Sequence, residues 1–168
     1  MIDSKIQIGV IGLGYVGLPL AVEFSKIYDV VGFDISQDRI DDLVKNYDET
    51  LMVSNKQLSD FNGVFSSKSK DLARCNIYIV TVPTPIDQGN KPNFNPLIDA
   101  SETISNFLSK NDIVVYESTV YPGATEEICV PVLEKSGLKY NKDFFCGYSP
   151  ERINPGDTSK SLRSITKI

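Results

Sequence analysis

The sequence predicts an α/β protein in which a doubly wound parallel sheet carries helices on both faces. Three observations predict it. Short runs of β-branched and apolar residues alternate with stretches of helical period along the whole chain. The first run leads into GVIGLGYVGLP at 9–19, a glycine-rich stretch that neither a helix interior nor a plain strand favours. Three later segments, VPTP at 82–85, ESTVYPGATEE at 117–127 and GYSPERINPG at 147–156, stand at the ends of expected strands, where such a sheet gathers its ligands.

The elements follow in order. Residues 6–12 read as the first strand and 15–27 as a helix with Val16, Leu20, Phe24 and Ile27 on one face. DVVGFD at 29–34 is the second strand. Ser36 caps a helix over 37–46 whose buried stripe is Ile40, Leu43 and Val44. Residues 50–62 carry no clear period. NIYIVTVPTP gives a strongly apolar strand that ends at Val82, because Pro83 and Pro85 cannot continue a ladder. A helix bearing Leu97, Ile98, Ile104 and Leu108 leads to a strand over 112–119, DIVVYEST. The next helix runs from near Pro122 to Gly137 and bends at Pro131. DFFCGYSP at 143–150 closes the series as a strand.

Composition limits the chemistry. A chain of 168 residues suits one domain, and at that size roughly 70% of the unfolded surface is buried, enough for a core without disulfides or metal. Hydrophobic residues at 41% and charged residues at 23% are those of a globular protein. The net charge of -5 shows no basic footprint for nucleic acid. Histidine is absent, which removes Ser-His-Asp triads, Cys-His dyads and His-ligated metals together. Cys75, Cys129 and Cys146 are widely spaced and form no C-x-x-C pair, as expected of reduced packing residues in a cytoplasmic protein. The apolar stretch after Lys5 is interrupted by Gln7 and followed by no small-residue cleavage site, so it reads neither as a secretory signal nor, being short and glycine-rich, as a membrane span.

Gly12, Gly14 and Gly17 stand in the spacing G-x-G-x-x-G between the first strand and its helix. In a β-α-β unit the first glycine permits a tight turn, the second lets backbone approach a pyrophosphate, and the third lets helix and strand pack closely. The helix that begins near Tyr15 and Val16 turns its unpaired N–H groups and the positive end of its dipole toward the anion. A ribose-binding carboxylate is expected about 20 residues on, and Asp34, ending the second strand, answers it. This constellation makes the fold Rossmann-type and the cofactor a dinucleotide. Asp34 selects NAD over NADP, because a 2′-phosphate would meet like charge. Arg39 could reach a phosphate from its helix; it is expected along the adenosine side or at the surface instead.

With those residues in their order, the sequence resembles the UDP-glucose/GDP-mannose dehydrogenases. These NAD-dependent enzymes oxidise the C6 alcohol of a nucleotide sugar to a carboxylate, using two NAD. The resemblance runs from about Ile6 to the last residue through the glycine motif, Asp34, VPTP, ESTVYPG and SPER. ESTVYPG and YSPERINPGD look most like the UDP-N-acetylhexosamine branch, which serves bacterial surface polysaccharide biosynthesis; Pro155 stands where the UDP-glucose branch has a second acid. The sugar's configuration stays open among gluco, galacto and manno, and UDP-glucose or UDP-N-acetylmannosamine 6-dehydrogenase is the alternative within the family.

The resemblance implies residue roles. Thr119 holds the catalytic water and Glu151 does acid-base work around a thioester, while Arg152 faces sugar or phosphate. Val82, Pro83 and Thr84, with Ser118 and Thr119, line the cofactor, and Glu117 fits either the site or packing support. The family's catalytic cysteine lies in a GGxCxxKD-like stretch beyond the first domain, and none of the three cysteines here has that context. Residues 1–168 are therefore expected to be the NAD-binding domain of a longer, homo-oligomeric cytoplasmic enzyme, without its connecting helix and sugar-binding domain. Two rivals stand beside this: a freestanding NAD-sensing module, and a methyltransferase, whose loop tends to G-x-G-x-G and which would leave SPER unexplained.

Overall fold

In the computed structural model, which describes residues 5–86, 89 and 91–152, six segments pair into one sheet. They are β1 (Gln7–Ile11), β2 (Asp29–Phe33), β3 (Gly63–Ser66), β4 (Ile77–Val80), β5 (Ile113–Tyr116) and β6 (Phe145–Tyr148). The order across the sheet is β3-β2-β1-β4-β5-β6 and every pairing is parallel. The chain thus winds outward from β1 to one edge, crosses back, and winds to the other. The order reverses between β1 and β4, and an open α/β sheet has its ligand crevice at that reversal.

Helices cover both faces. On one, α1 (Gly17–Phe24), α2 (Gln37–Val44) and α3 (Asn55–Ser59) bury Leu18, Leu20, Ile40, Leu43 and Leu58 against Ile8, Val10 and Val30. On the other, α4 (Asn95–Ser105) and α5 (Val130–Leu133) bury Leu97, Ile104 and Leu133 against Ile11, Val80, Val114 and Tyr116. Strands buried on both sides explain the nearly continuous apolar runs of β1, β2 and β4.

Several elements differ from the sequence expectation. β3 was not expected at all: it is four residues long, sits at the sheet edge, and is half exposed, so it lacks the apolar run of the central strands. Within 50–62 a short helix does form, and its start is a reciprocal capping box in which Ser54 Oγ accepts from Gln57 N–H and Gln57 Oε1 from Ser54 N–H. Ile27 and Val44, placed on buried faces by periodicity, are 67% and 66% exposed, because α1 ends at Phe24 and α2 turns its last residue outward. Leu108 is buried as expected but lies beyond α4.

The bend expected at Pro131 takes the form of a π turn. Val130 N–H reaches back to Thr125 O at the end of Thr125–Cys129, and Pro131 has no N–H with which to restore the α pattern. A 3₁₀ turn over Glu134–Ser136 then ends at Gly137, whose φ of 86° is the left-handed stop that the glycine predicts.

Candidate functional site at the carboxyl edge of the sheet

Ser66, Phe33, Ile11, Val80, Tyr116 and Tyr148 are register partners and form one row across the carboxyl end of the sheet. All of the expected site residues except Arg39 leave the sheet just past this row. The ladder continues one step further, with Gly12 N–H on Phe33 O (2.8 Å), Thr81 N–H on Ile11 O (2.9 Å), Glu117 N–H on Val80 O (2.9 Å) and Ser149 N–H on Tyr116 O (2.9 Å). The loops therefore start from fixed points.

The three glycines do three different things. Gly12 has φ of +90°, the left-handed turn that releases the chain from β1. At Gly17 a Cβ would lie 1.9 Å from Gly12 O and 2.3 Å from Thr81 Oγ1, so helix and loop approach more closely than any side chain allows. At Gly14 a Cβ would meet nothing within 4 Å: the space before it is open. Leu18 N–H already bonds Gly14 O, and α1 begins with no side-chain cap and no acid in its first turn. The open space lies before Gly14, with Tyr15 exposed next to it in the chain and Val16 buried. The residues present fit a pyrophosphate.

Asp34 braces this loop from the next strand. Its Oδ2 accepts Leu13 N–H at 2.8 Å and its Oδ1 accepts Ser36 N–H at 3.0 Å, fixing the carboxylate at the tip of β2 while leaving it half exposed. Arg39 corrects the surface alternative. It is 6% exposed, and its guanidinium is directed inward: Nε and Nη2 donate to Leu13 O at 3.0 and 2.8 Å, and Nη2 also to Asp48 Oδ1 at 2.7 Å. Leu13 thus has its N–H held by one charged side chain and its carbonyl by another. Neither Asp48 nor Thr81 was singled out in the sequence. Thr81 Oγ1 donates to Ile11 O and Gly12 O (3.0 and 2.7 Å), and only its place before VPTP hinted at it.

Asp48 collects Arg39 Nη2, Thr50 N–H and Oγ1, and the N–H groups of Met52 and Val53. Burial alone would push its carboxyl up; the Arg39, Thr50 and backbone hydrogen bonds outweigh that and hold it below the usual range.

Past the neighbouring strands β4 and β5, Ser118 Oγ donates to Val82 O (2.6 Å) and Thr84 Oγ1 to Thr119 O (2.8 Å), tying the two loops together. Pro83 and Thr119 are exposed there, Ser118 and Glu117 buried. Thr119 and Glu151 each lie three residues past a member of the pair Tyr116↔Tyr148, at the same edge of the sheet. Glu151 Oε1 accepts the Arg152 N–H at 2.6 Å, and Arg152 Nη1 donates to Glu151 O at 2.8 Å. Pro155 lies outside the described residues.

The cysteines are free thiols, Cys75 and Cys129 buried and Cys146 partly so. Burial pushes Cys75 and Cys146 up to about 12 and raises Cys129 as well, so none is a thiolate at neutral pH. Among the described residues no His/Cys/Asp/Glu group is placed to hold a metal, and no helix is long and apolar enough to cross a membrane.

Residues 6–168 match the family model described as the UDP-glucose/GDP-mannose dehydrogenase family, NAD binding domain. The chain belongs to that family. It is 58% identical over 167 residues to UDP-N-acetyl-D-glucosamine 6-dehydrogenase of Pseudomonas aeruginosa, covering 98% of this chain and 40% of the relative. The enzyme of the same name from Salmonella typhi is 52% identical, with 98% and 39% covered. Among solved structures, UDP-D-ManNAc dehydrogenase from Pyrococcus horikoshii superposes with a TM-score of 0.83 at 32% identity, covering 90% of this chain and 37% of that one. The chain thus spans about two fifths of the length of these relatives. NAD is the cofactor of this family domain.

Proposed function

We propose that this chain is the cofactor half of an NAD-dependent 6-dehydrogenase that oxidises the C6 alcohol of a UDP-N-acetylhexosamine to the uronic acid. The observation that carries this reading is the 58% identity to a UDP-N-acetyl-D-glucosamine 6-dehydrogenase over 98% of the chain. The row of loops supports it. Gly12, Gly14, Tyr15, Val16 and Gly17 hold the pyrophosphate, Asp34 the adenosine ribose, and Val82, Pro83, Thr84, Ser118 and Thr119 the nicotinamide side. Bound there, NAD would supply the acceptor for the hydride that leaves C6. The exposed Thr119 hydroxyl, three residues past β5, orients a water, and the Glu151 carboxylate takes that water's proton as it attacks the C6 thioester, whose C–S bond breaks to return the thiolate. Arg152 lies next to Glu151 for sugar or phosphate. Cysteines with thiols as strongly protonated as these leave the nucleophile that retains the aldehyde to another part of the enzyme.

The test is steady-state NADH formation by the longer enzyme with UDP-N-acetylglucosamine, UDP-N-acetylgalactosamine and UDP-glucose. Turnover with an N-acetylhexosamine and little with UDP-glucose is expected; the reverse preference would overturn the branch assignment. Glu151→Gln should slow the overall reaction about 10²–10⁴-fold while NAD affinity holds, as removal of a general base does.

A further inference from the structure

We infer that Asp48 is a positioning residue for the cofactor loop, acting through Arg39 on the peptide that joins Leu13 to Gly14. The inference rests on the cofactor reading of the glycine motif. Leu13 O is drawn inward by two nitrogens of the Arg39 fork, at 3.0 and 2.8 Å. In a trans peptide the N–H points opposite to the carbonyl, so fixing Leu13 O toward the buried guanidinium turns the Gly14 N–H the other way. That is away from Arg39, at the glycine whose missing side chain leaves open space. A long, flexible arginine does not hold such a geometry by itself. Asp48 supplies the restraint: its side chain is 1% exposed, its Oδ1 takes Arg39 Nη2 at 2.7 Å, and Thr50, Met52 and Val53 hold the carboxylate in turn.

The segment around Asp48 is shaped for this task. Leu51 has φ of 56°, a left-handed value at a non-glycine residue, between Thr50 and Met52, whose N–H groups both bond the Asp48 carboxylate. Such backbone persists when its surroundings over-determine it, and the five donors on Asp48 do so. The hydrogen bonds of Asp48 reach the glycine motif through Arg39. Arg39 Nη1 is buried without a hydrogen-bond partner, so the guanidinium is held on one side only and depends on Asp48 for its orientation.

The experiment titrates the 168-residue chain with NAD and with adenosine by NMR, in the wild type, in Asp48→Asn, and in the double variant Asp48→Asn/Arg39→Gln. The double variant leaves no lone ion buried if the single one fails to fold. NAD affinity is expected to fall about tenfold in both, the scale of one lost charge-assisted hydrogen bond. Adenosine, which has no pyrophosphate, should bind within about twofold of wild type, and the apo Gly14 amide resonance should shift. A merely structural role would lower the melting temperature and leave the ratio of the two affinities unchanged. A folded variant with wild-type NAD affinity, or one that loses NAD and adenosine equally, would overturn the inference. A wild-type chain that binds adenosine but not NAD would overturn the cofactor reading of the loop, and this inference with it.

Discussion

Gly14 and Gly17 belong to one motif but fail in opposite ways when substituted. A side chain at Gly14 enters open space, so Gly14→Leu should fold with a melting temperature close to wild type and lose NAD binding. A methyl at Gly17 would collide with the Gly12 carbonyl, so Gly17→Ala should cost about 1–3 kcal/mol of stability, measured by chemical denaturation, as overpacking does. The pair separates a residue kept small for a ligand from one kept small for the fold. Asp34 and Arg39 bear on cofactor choice. The Arg39 guanidinium is turned inward onto Leu13 O and Asp48, so a 2′-phosphate bound at Asp34 would meet its carboxylate without that cation. At close range and an effective dielectric near 20 the repulsion is several kcal/mol, so NADP should bind at least about 100-fold more weakly than NAD in calorimetry. Equal affinities would remove the ribose role from Asp34.

At the scale of elements, the central strands and the glycine turn were legible because burial on both faces writes a continuous apolar run and a turn needs residues of special conformation. The edge was not. β3 is GVFS, and at an exposed edge half of its side chains face water, so no run marks it. Arg39 misled for a different reason. Its helix position was right, but the partner that pulls it inward lies in the 48–53 loop, whose geometry is set by hydrogen bonds to Asp48 and leaves no periodic trace. The start of β5 carries a pH-dependent penalty of its own. Asp112 is buried just ahead of it, and burial raises its carboxyl from the usual 3.8 to about 6, against a Ser109 N–H bond that favours the ionised form. The folded state then binds the proton more tightly than the unfolded chain. This contribution is present below about pH 4 and is lost as pH rises through about 6. Asp112→Asn keeps an acceptor for Ser109 and should be more stable than wild type by about 1–3 kcal/mol at about pH 8, with the gain gone near pH 4. Equal denaturation midpoints at both pH values would show that the carboxylate ionises without cost.

For the molecule as a whole, fold and site follow from one arrangement. Six parallel strands end in a single row, and the glycine turn, Asp34, the tied β4 and β5 loops and the segment that carries Glu151 all follow it in the chain. A parallel sheet brings the carboxyl ends of its strands together, so motifs far apart in sequence converge on one edge. The central claim is that the open space before Gly14 receives the pyrophosphate of NAD. Calorimetric titration of the 168-residue chain with NAD, in the wild type and in Gly14→Leu, tests it most directly. The account predicts saturable binding of one NAD by the wild type and none by a Gly14→Leu variant that melts within a few degrees of it. Undiminished NAD affinity in that folded variant, or a folded wild-type chain that binds no NAD, would contradict it.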